Sequence, residues 1–201
     1  MIDPSYSYIL GQKQGDWMSL KAVPREVRKG LVIVYTGNGK GKTTAALGMV
    51  VRAIGYNWKV LMVQFIKGDW MYGELEGYKK LAPNFELKRM GKGFVRIMGD
   101  KKSIEDHIEA AKTALKYVRD NMDKDYDIVI LDEVNVAIKE KLLTVKEVLA
   151  VIRNRPPYLN IILTGRNAPK KIIEMADLVT EMTEIKHPFQ QGILAQPGID
   201  Y

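Results

Sequence analysis

The feature of this sequence that most restricts its fold is a glycine-rich stretch between an apolar run and a helical segment. The apolar run Leu31 to Tyr35 is followed by Thr36-Gly37-Asn38-Gly39-Lys40-Gly41-Lys42-Thr43-Thr44. The order of strand, loop, Gly-Lys-Thr and helix is the pattern of a P-loop. Glycines allow close backbone approach, so that N–H groups can face phosphate oxygens. The pattern predicts nucleotide binding by residues 37–44, and the alternative is a glycine-rich turn that binds nothing.

Two residues of this loop are expected to contribute side-chain chemistry. Lys42 would place a positive charge on the phosphates, and the hydroxyl of Thr43 would ligate Mg²⁺ or Mn²⁺. A helix starting near Thr44 would direct its positive end at the same anion.

A second site element is predicted where the apolar run Ile128 to Leu131 ends in Asp132 and Glu133. Because hard cations prefer oxygen ligands, one of these carboxylates is expected to hold the metal ion, directly or through water. The alternative is an N-cap Asp for the following helix. Arg166 follows another apolar run and is expected either to bind phosphate or to lie at the surface.

Alternating strand and helix patterns indicate the fold class. Further apolar runs at 60–65 and 160–163 are separated by helical segments, and Ser103 with Asp106 and Thr144 with Glu147 have the spacing of capping boxes. We expect an α/β fold in which a mostly parallel sheet has helices on both faces, with P-loop NTPase (RecA-like) architecture. The 201 residues would form one domain, 31–201, preceded by a partly mobile N-terminal extension, 1–30.

Composition limits the remaining function classes. The chain has no Cys, which excludes disulfides and thiolate chemistry. It has no apolar stretch of membrane-spanning length and no signal-peptide pattern, so we expect a cytoplasmic protein without a membrane partner. The net charge of +7 suits a nucleic acid, a polyphosphate or a solvated basic surface and does not choose among them.

A set of ordered sequence blocks resembles the P-loop family of ATP:corrinoid adenosyltransferases, from about Leu31 to the last residue. The blocks are Tyr35 to Ala46, Arg52-Ala53, Gln64 to Gly68 with Trp70 and Gly73-Glu74, Leu131-Asp132-Glu133, Thr164-Gly165-Arg166, Lys186-His187-Pro188-Phe189, Ala195-Gln196 and Gly198 to Tyr201.

The resemblance implies a reaction and a set of roles. A Co(I) corrinoid would attack the 5′ carbon of ATP and release triphosphate, in adenosylcobalamin formation. Lys42, Thr43 and Glu133 would be catalytic, with Asp132 also at the metal, and Arg52 and Arg166 would contact ATP. The resemblance also implies a reductase or reduced flavoprotein as electron donor, and a homodimer in which the N-terminal extension closes over an active site.

The corrinoid would contact Gly93-Phe94-Val95-Arg96, which matches the family's aromatic-x-aromatic element against the lower corrin face. Phe94 keeps the first aromatic, whereas Arg96 stands where better-known members have Trp. The alternative for Phe94 is an ordinary core aromatic. Trp70 is expected to line the same pocket. His107 is expected on the solvated face of its helix, and a structural role is expected for His187.

Other function classes remain open from sequence alone. A P-loop ATPase acting on nucleic acid fits the charge, although no aromatic-basic groove supports it and nucleic acid is not the expected partner. A small-molecule kinase is a third alternative. Both would release ADP, whereas the transferase would release triphosphate.

Overall fold

Six parallel strands form the centre of the protein in a computed structural model that describes residues 24–68, 72–97 and 99–201. The predictions for residues 1–23 and for Trp70 lie outside these ranges. The strand order is β3-β2-β4-β5-β1-β6. The strands are β1 (Val32–Thr36), β2 (Val60–Gln64), β3 (Phe85–Arg89), β4 (Ile128–Asp132), β5 (Asn160–Thr164) and β6 (Leu178–Glu181). All neighbouring pairs are parallel. The expected α/β fold is confirmed.

Helices connect the strands and cover both faces of the sheet. They are α1 (Lys42–Ile54), α2 (Glu74–Gly77), α3 (Ile104–Asn121), α4 (Val134–Lys139), α5 (Val145–Arg153) and α6 (Lys170–Met175). Both capping boxes form as expected, at Ser103 for α3 and at Thr144 for α5. None of the helices in the described residues is long and apolar enough to cross a membrane.

Successive side chains along the strands pack into two hydrophobic clusters, one on each face of the sheet. Val32 and Val34 of β1 pack with the buried sides of α3 and α5, whereas Ile33 packs with α1. This alternation follows from the two-residue period of a strand. Because the strands are parallel, the carboxyl ends of β1, β4 and β5 lie together at one edge of the sheet.

The four apolar runs seen in the sequence are the four central strands. The two strands without such a run, β3 and β6, lie at the edges. All four residues of β6 are exposed, and β3 alternates between buried and less buried residues. Edge strands are covered on fewer sides, so their sequences need fewer apolar residues.

Residues 24–30 pack at the opposite edge of the sheet, where the strands begin. Arg25 Nε and Arg28 Nη2 lie 2.9 and 2.6 Å from Asp127 Oδ1, just before β4. The Arg28 guanidinium also lies 4.1 Å from the centre of the Trp58 ring. These contacts tie the segment before β1 to the domain.

Candidate functional site

The phosphate loop connects β1 to α1 and lies at the carboxyl edge of the sheet. Gly37 and Gly41 have φ of 91° and 106°, a region that side chains disfavour, and α1 begins at Lys42, two residues earlier than expected. A Cβ at Gly37 would overlap the backbone of Met182. The glycines therefore serve close packing as well as the loop conformation.

Lys42 is held over this loop. Its side chain is buried, and Nζ donates to the carbonyl oxygens of Gly37 at 2.9 Å and Gly39 at 2.6 Å. Burial lowers the pKa of Lys42, and Arg166 lowers it further, while the charge of Glu133 acts in the opposite direction. A charge concentrated in this way, among loop groups, suits an anionic ligand.

Asp132 is the fully buried centre of a hydrogen-bond network. Its Oδ1 accepts from the hydroxyls of Thr43 and Thr164, each at 2.8 Å, and its Oδ2 accepts from Gln64 Nε2 at 3.2 Å. Because the Thr43 proton points at Asp132, the oxygen lone pairs of that hydroxyl are free to face a cation. β5 lies between β1 and β4 in the sheet, so its Thr164 bridges the two halves of the site.

Glu133 lies next to this network in a left-handed conformation, with φ of 62°. Burial raises the pKa of its carboxyl to about 7, and the neighbouring Asp132 charge adds to this effect, against the opposing charges of Lys42, Lys67 and Arg166. Glu133, rather than Asp132, occupies the N-cap of α4, and its side chain makes no capping hydrogen bond. The carboxylate therefore faces the site and does not cap the helix.

The structure brings Arg166 to this site and places Arg52 elsewhere. Arg166 is exposed and acts electrostatically on both Lys42 and Glu133. Arg52 lies in the last turn of α1, ten residues beyond Lys42, which corresponds to about 15 Å along a helix. Its role in ATP binding remains a prediction, and the phosphate loop of this chain does not lie beside it.

A polar cluster after β2 belongs to the site but was not assigned to it from the sequence. Gln64 is fully buried, and its Nε2 also lies 3.4 Å from Glu74 Oε1, which is paired with Lys67. Burial raises the pKa of Glu74, but the hydrogen bond and charge of Lys67 outweigh it and lower the pKa overall. A glutamine ending an apolar strand is a signal that could have indicated this cluster.

The C-terminal segment packs against the phosphate loop. The Gly39 N–H donates to the carbonyl of Met182 at 2.7 Å, and Lys40 forms an ion pair with Asp200. The Gly39 N–H is thus engaged by the protein, unlike the inward-facing N–H groups expected for the loop. Asn38 and Thr44 are exposed beside it.

Phe94 lies beside a cavity of about 260 Å³ between the loops that follow β2 and β3. Phe94 is 39% exposed, so the core alternative is wrong. Val95 instead packs against the core, which directs its neighbours Phe94 and Arg96 outward. Gly68, Tyr72 and Ile97 also line the cavity.

The two histidines have different environments. His107 is buried, and its Nε2 lies 2.9 Å from Asp100 Oδ2, so the expectation of a solvated His107 is wrong. His107 lies four residues before Ala111 and seven before Ala114, which places it in the buried stripe of α3. His187 Nδ1 accepts a hydrogen bond from the Phe189 N–H at 3.2 Å, in keeping with the structural role expected for it.

Comparison with known proteins agrees with this geometry. Residues 28–201 match the family model described as ATP:corrinoid adenosyltransferase BtuR/CobO/CobP. A corrinoid adenosyltransferase of Pseudomonas aeruginosa is 41% identical over 174 residues, which cover 86% of this chain and 84% of the relative. One of Escherichia coli is 36% identical over 191 residues, which cover 94% and 95%.

A solved structure shares the fold at low sequence identity. The flagellar accessory protein FlaH from Methanocaldococcus jannaschii aligns with a TM-score of 0.51 over 77% of this chain and 72% of that chain. Its sequence is 12% identical, so this likeness concerns the fold alone.

Proposed function

The chain belongs to the ATP:corrinoid adenosyltransferase family, whose activity is adenosyl transfer from ATP to a corrinoid, and we propose that the acceptor is Co(I) and the leaving group triphosphate. The family match over residues 28–201 carries this proposal. In the transfer, the cobalt electron pair forms a bond to the 5′ carbon, and the carbon–oxygen bond electrons leave with triphosphate. No protein nucleophile is needed, so the chain's task is to position both substrates and to stabilise the leaving charge.

Residues of the phosphate loop would provide that stabilisation. Lys42 has its ammonium held between two loop carbonyls, where it can exchange these partners for phosphate oxygens without a change of fold. Arg166 adds a second cation at the same edge of the sheet. Negative charge that grows on the triphosphate as the carbon–oxygen bond breaks would be met by groups already in place.

The donor atoms around Thr43 fit a divalent cation such as Mg²⁺. Asp132 already accepts three hydrogen bonds and orients the Thr43 hydroxyl, which leaves Thr43 and Glu133 as the residues that would hold the ion. The high pKa of Glu133 supports this proposal, since a bound cation would compensate the buried charge. The ion would neutralise part of the charge on the triphosphate oxygens.

The cavity beside Phe94 is our proposed corrinoid site. An exposed aromatic ring on a loop is suited to pack against the flat face of a corrin ring. Gly68 and Tyr72, which follow β2, line this cavity, and Lys67 pairs with Glu74 at the start of α2, which connects through Gln64 to Asp132. The residues that follow β2 would thus lie between the two substrates.

Further proposals concern partners and location. A reduced flavoprotein or other reductase would supply the electron that makes Co(I), since the chain has no Cys for thiol redox chemistry. The exposed edge strand β6 supports a homodimer, because unpaired strand edges favour association. We place the protein in the cytoplasm, where ATP and cellular reductants meet.

The N-terminal extension would close over the active site of the neighbouring subunit, since residues 24–30 pack at the opposite edge of their own sheet.

An anaerobic incubation tests the reaction. The protein, ATP, Mg²⁺ and chemically reduced cobalamin should yield a light-sensitive cobalt–carbon product and one triphosphate for each product formed. Release of ADP without that product would contradict the proposal and favour one of the ATPase alternatives. Omitting the corrinoid is the matched control, and it should leave ATP intact.

A further inference from the structure

A buried pair of side chains, His107 and Asp100, joins α3 to the loop that carries Phe94. His107 is 3% exposed, and the Asp100 side chain is 6% exposed. The distance between His107 Nε2 and Asp100 Oδ2 is 2.9 Å. Neither residue belongs to the phosphate or carboxylate groups described above, so the pair needs a separate explanation.

Asp100 organises the backbone on both sides of itself. Its Oδ2 accepts the Arg96 N–H at 3.0 Å, and its Oδ1 accepts the Lys102 N–H at 3.1 Å. These backbone hydrogen bonds, with a further contribution from His107, lower the pKa of Asp100 to about 2. An ionised carboxylate can only accept, so His107 Nε2 carries the proton that lies between them.

The Arg96 hydrogen bond holds a conformation that most residues avoid. Arg96 has φ of 59°, in the left-handed region, which is costly for a residue with a long side chain. This turn directs Phe94 and Arg96 away from the core, while Val95 packs inward. The orientation of Phe94 therefore depends on contacts that hold the turn.

His107 lies on an element that is itself firmly placed. α3 has 18 residues, begins with a capping box at Ser103, and buries Ala111, Ala114 and Val118 in the core. His107 stands in the second turn of this helix, in the same stripe. A hydrogen bond from a helix that is fixed in this way can hold a surface loop in one position.

We propose that His107 and Asp100 are positioning residues for the corrinoid, which lock the loop residues 93–97 and 99–102 to α3 and so hold Phe94 at the cavity. Asp100 lines that cavity together with Phe94 and Ile97, so the lock and the proposed binding surface share one loop. The inference rests on the proposed function, because it takes the cavity beside Phe94 as the corrinoid site. ATP binding at Lys42 does not depend on it.

The test compares His107→Leu, which removes the donor, with His107→Gln, whose amide Nε2 can donate in its place. Ser103→Ala is the matched control, since it weakens the start of α3 without touching Asp100. With Co(II) cobalamin and a reductant as the probe, His107→Leu should raise the corrinoid KM about tenfold or more, as expected for the loss of a hydrogen bond to a charged group. The ATP KM should stay constant.

Two further readouts separate positioning from general damage. Amide exchange at Arg96 and Lys102 should become faster in His107→Leu, and His107→Gln should restore most of both the exchange protection and the KM. If His107→Leu does not fold, Asp100→Ala replaces it, because Asp100 lies in the loop. An ATP KM that rises as much as the corrinoid KM, or a KM pattern equal to that of Ser103→Ala, would overturn the inference.

The result for the wild-type protein distinguishes failure of the proposed function from failure of the positioning role. Wild type that forms no cobalt–carbon product in this assay contradicts the proposed function itself. Active wild type with unchanged corrinoid KM in both His107→Leu and Asp100→Ala contradicts only the positioning role.

Discussion

Ionisation of the partly buried Glu133 carboxyl is expected to destabilise the ligand-free protein as the pH rises towards neutrality. Burial and the Asp132 charge raise its pKa from the ordinary value of 4.5 to about 7. Below pH 4.5 the carboxyl is protonated in both the folded and the unfolded state and contributes nothing. Between these values the unfolded state loses its proton while the folded state keeps it, so stability falls with rising pH.

The size of the effect follows from the two pKa values. A difference of about two and a half pH units corresponds to roughly 3 kcal/mol at about 1.36 kcal/mol for each unit. The full cost should be present above about pH 7, and a large part of it should disappear by about pH 5.

Urea unfolding of the ligand-free protein at several values between about pH 5 and pH 8 measures this cost. Glu133→Gln has no carboxyl to ionise, so the wild-type free energy of unfolding should fall relative to this variant by about 2–3 kcal/mol across the range. Glu109→Gln, at an exposed position on α3, is the control and should run parallel to wild type. Parallel curves for wild type and Glu133→Gln would show that Glu133 is not buried in an uncompensated state.

Three other expectations concern the ligand sites and the packing of the domain. Lys42→Ala should weaken ATP binding at least about tenfold in calorimetry, since it removes a charged donor, and unchanged affinity would refute the phosphate-loop assignment. Phe94→Ala should slow turnover of Co(II) cobalamin with a reductant but spare ready-made Co(I), and Arg96→Ala should be milder; equal losses with Co(I) would point to general substrate binding instead. Gly30→Ala should lower the free energy of unfolding by about 1–3 kcal/mol, because the new Cβ would overlap the Leu159 carbonyl, whereas Gly48→Ala has open space and should not destabilise.

Local patterns were sufficient for the central part of the fold and the nucleotide site. The four central strands are long apolar runs, and the capping boxes at Ser103 and Thr144 are spacings of three residues. The glycine-rich loop has Lys42 and Thr43 next to each other in sequence. In each case the interacting residues are neighbours along the chain, so their spacing in the sequence already determines how they are arranged in space.

Contacts between residues that are not immediate neighbours in the chain were decided by the tertiary structure. Sequence spacing does not show that Met182 packs on the phosphate loop, that Gln64 joins Asp132 to Glu74, or that Asp100 pairs with a buried His107.

The sequence by itself thus determined the fold class, the family and the strand, loop and helix order around Lys42 and Thr43. The tertiary structure alone decided which loops meet around these two residues and the exposed position of Phe94. The physical reason is that strands and helices carry a period that marks their buried faces, whereas loops have no period. Loop positions follow from individual hydrogen bonds and packing contacts with other parts of the fold.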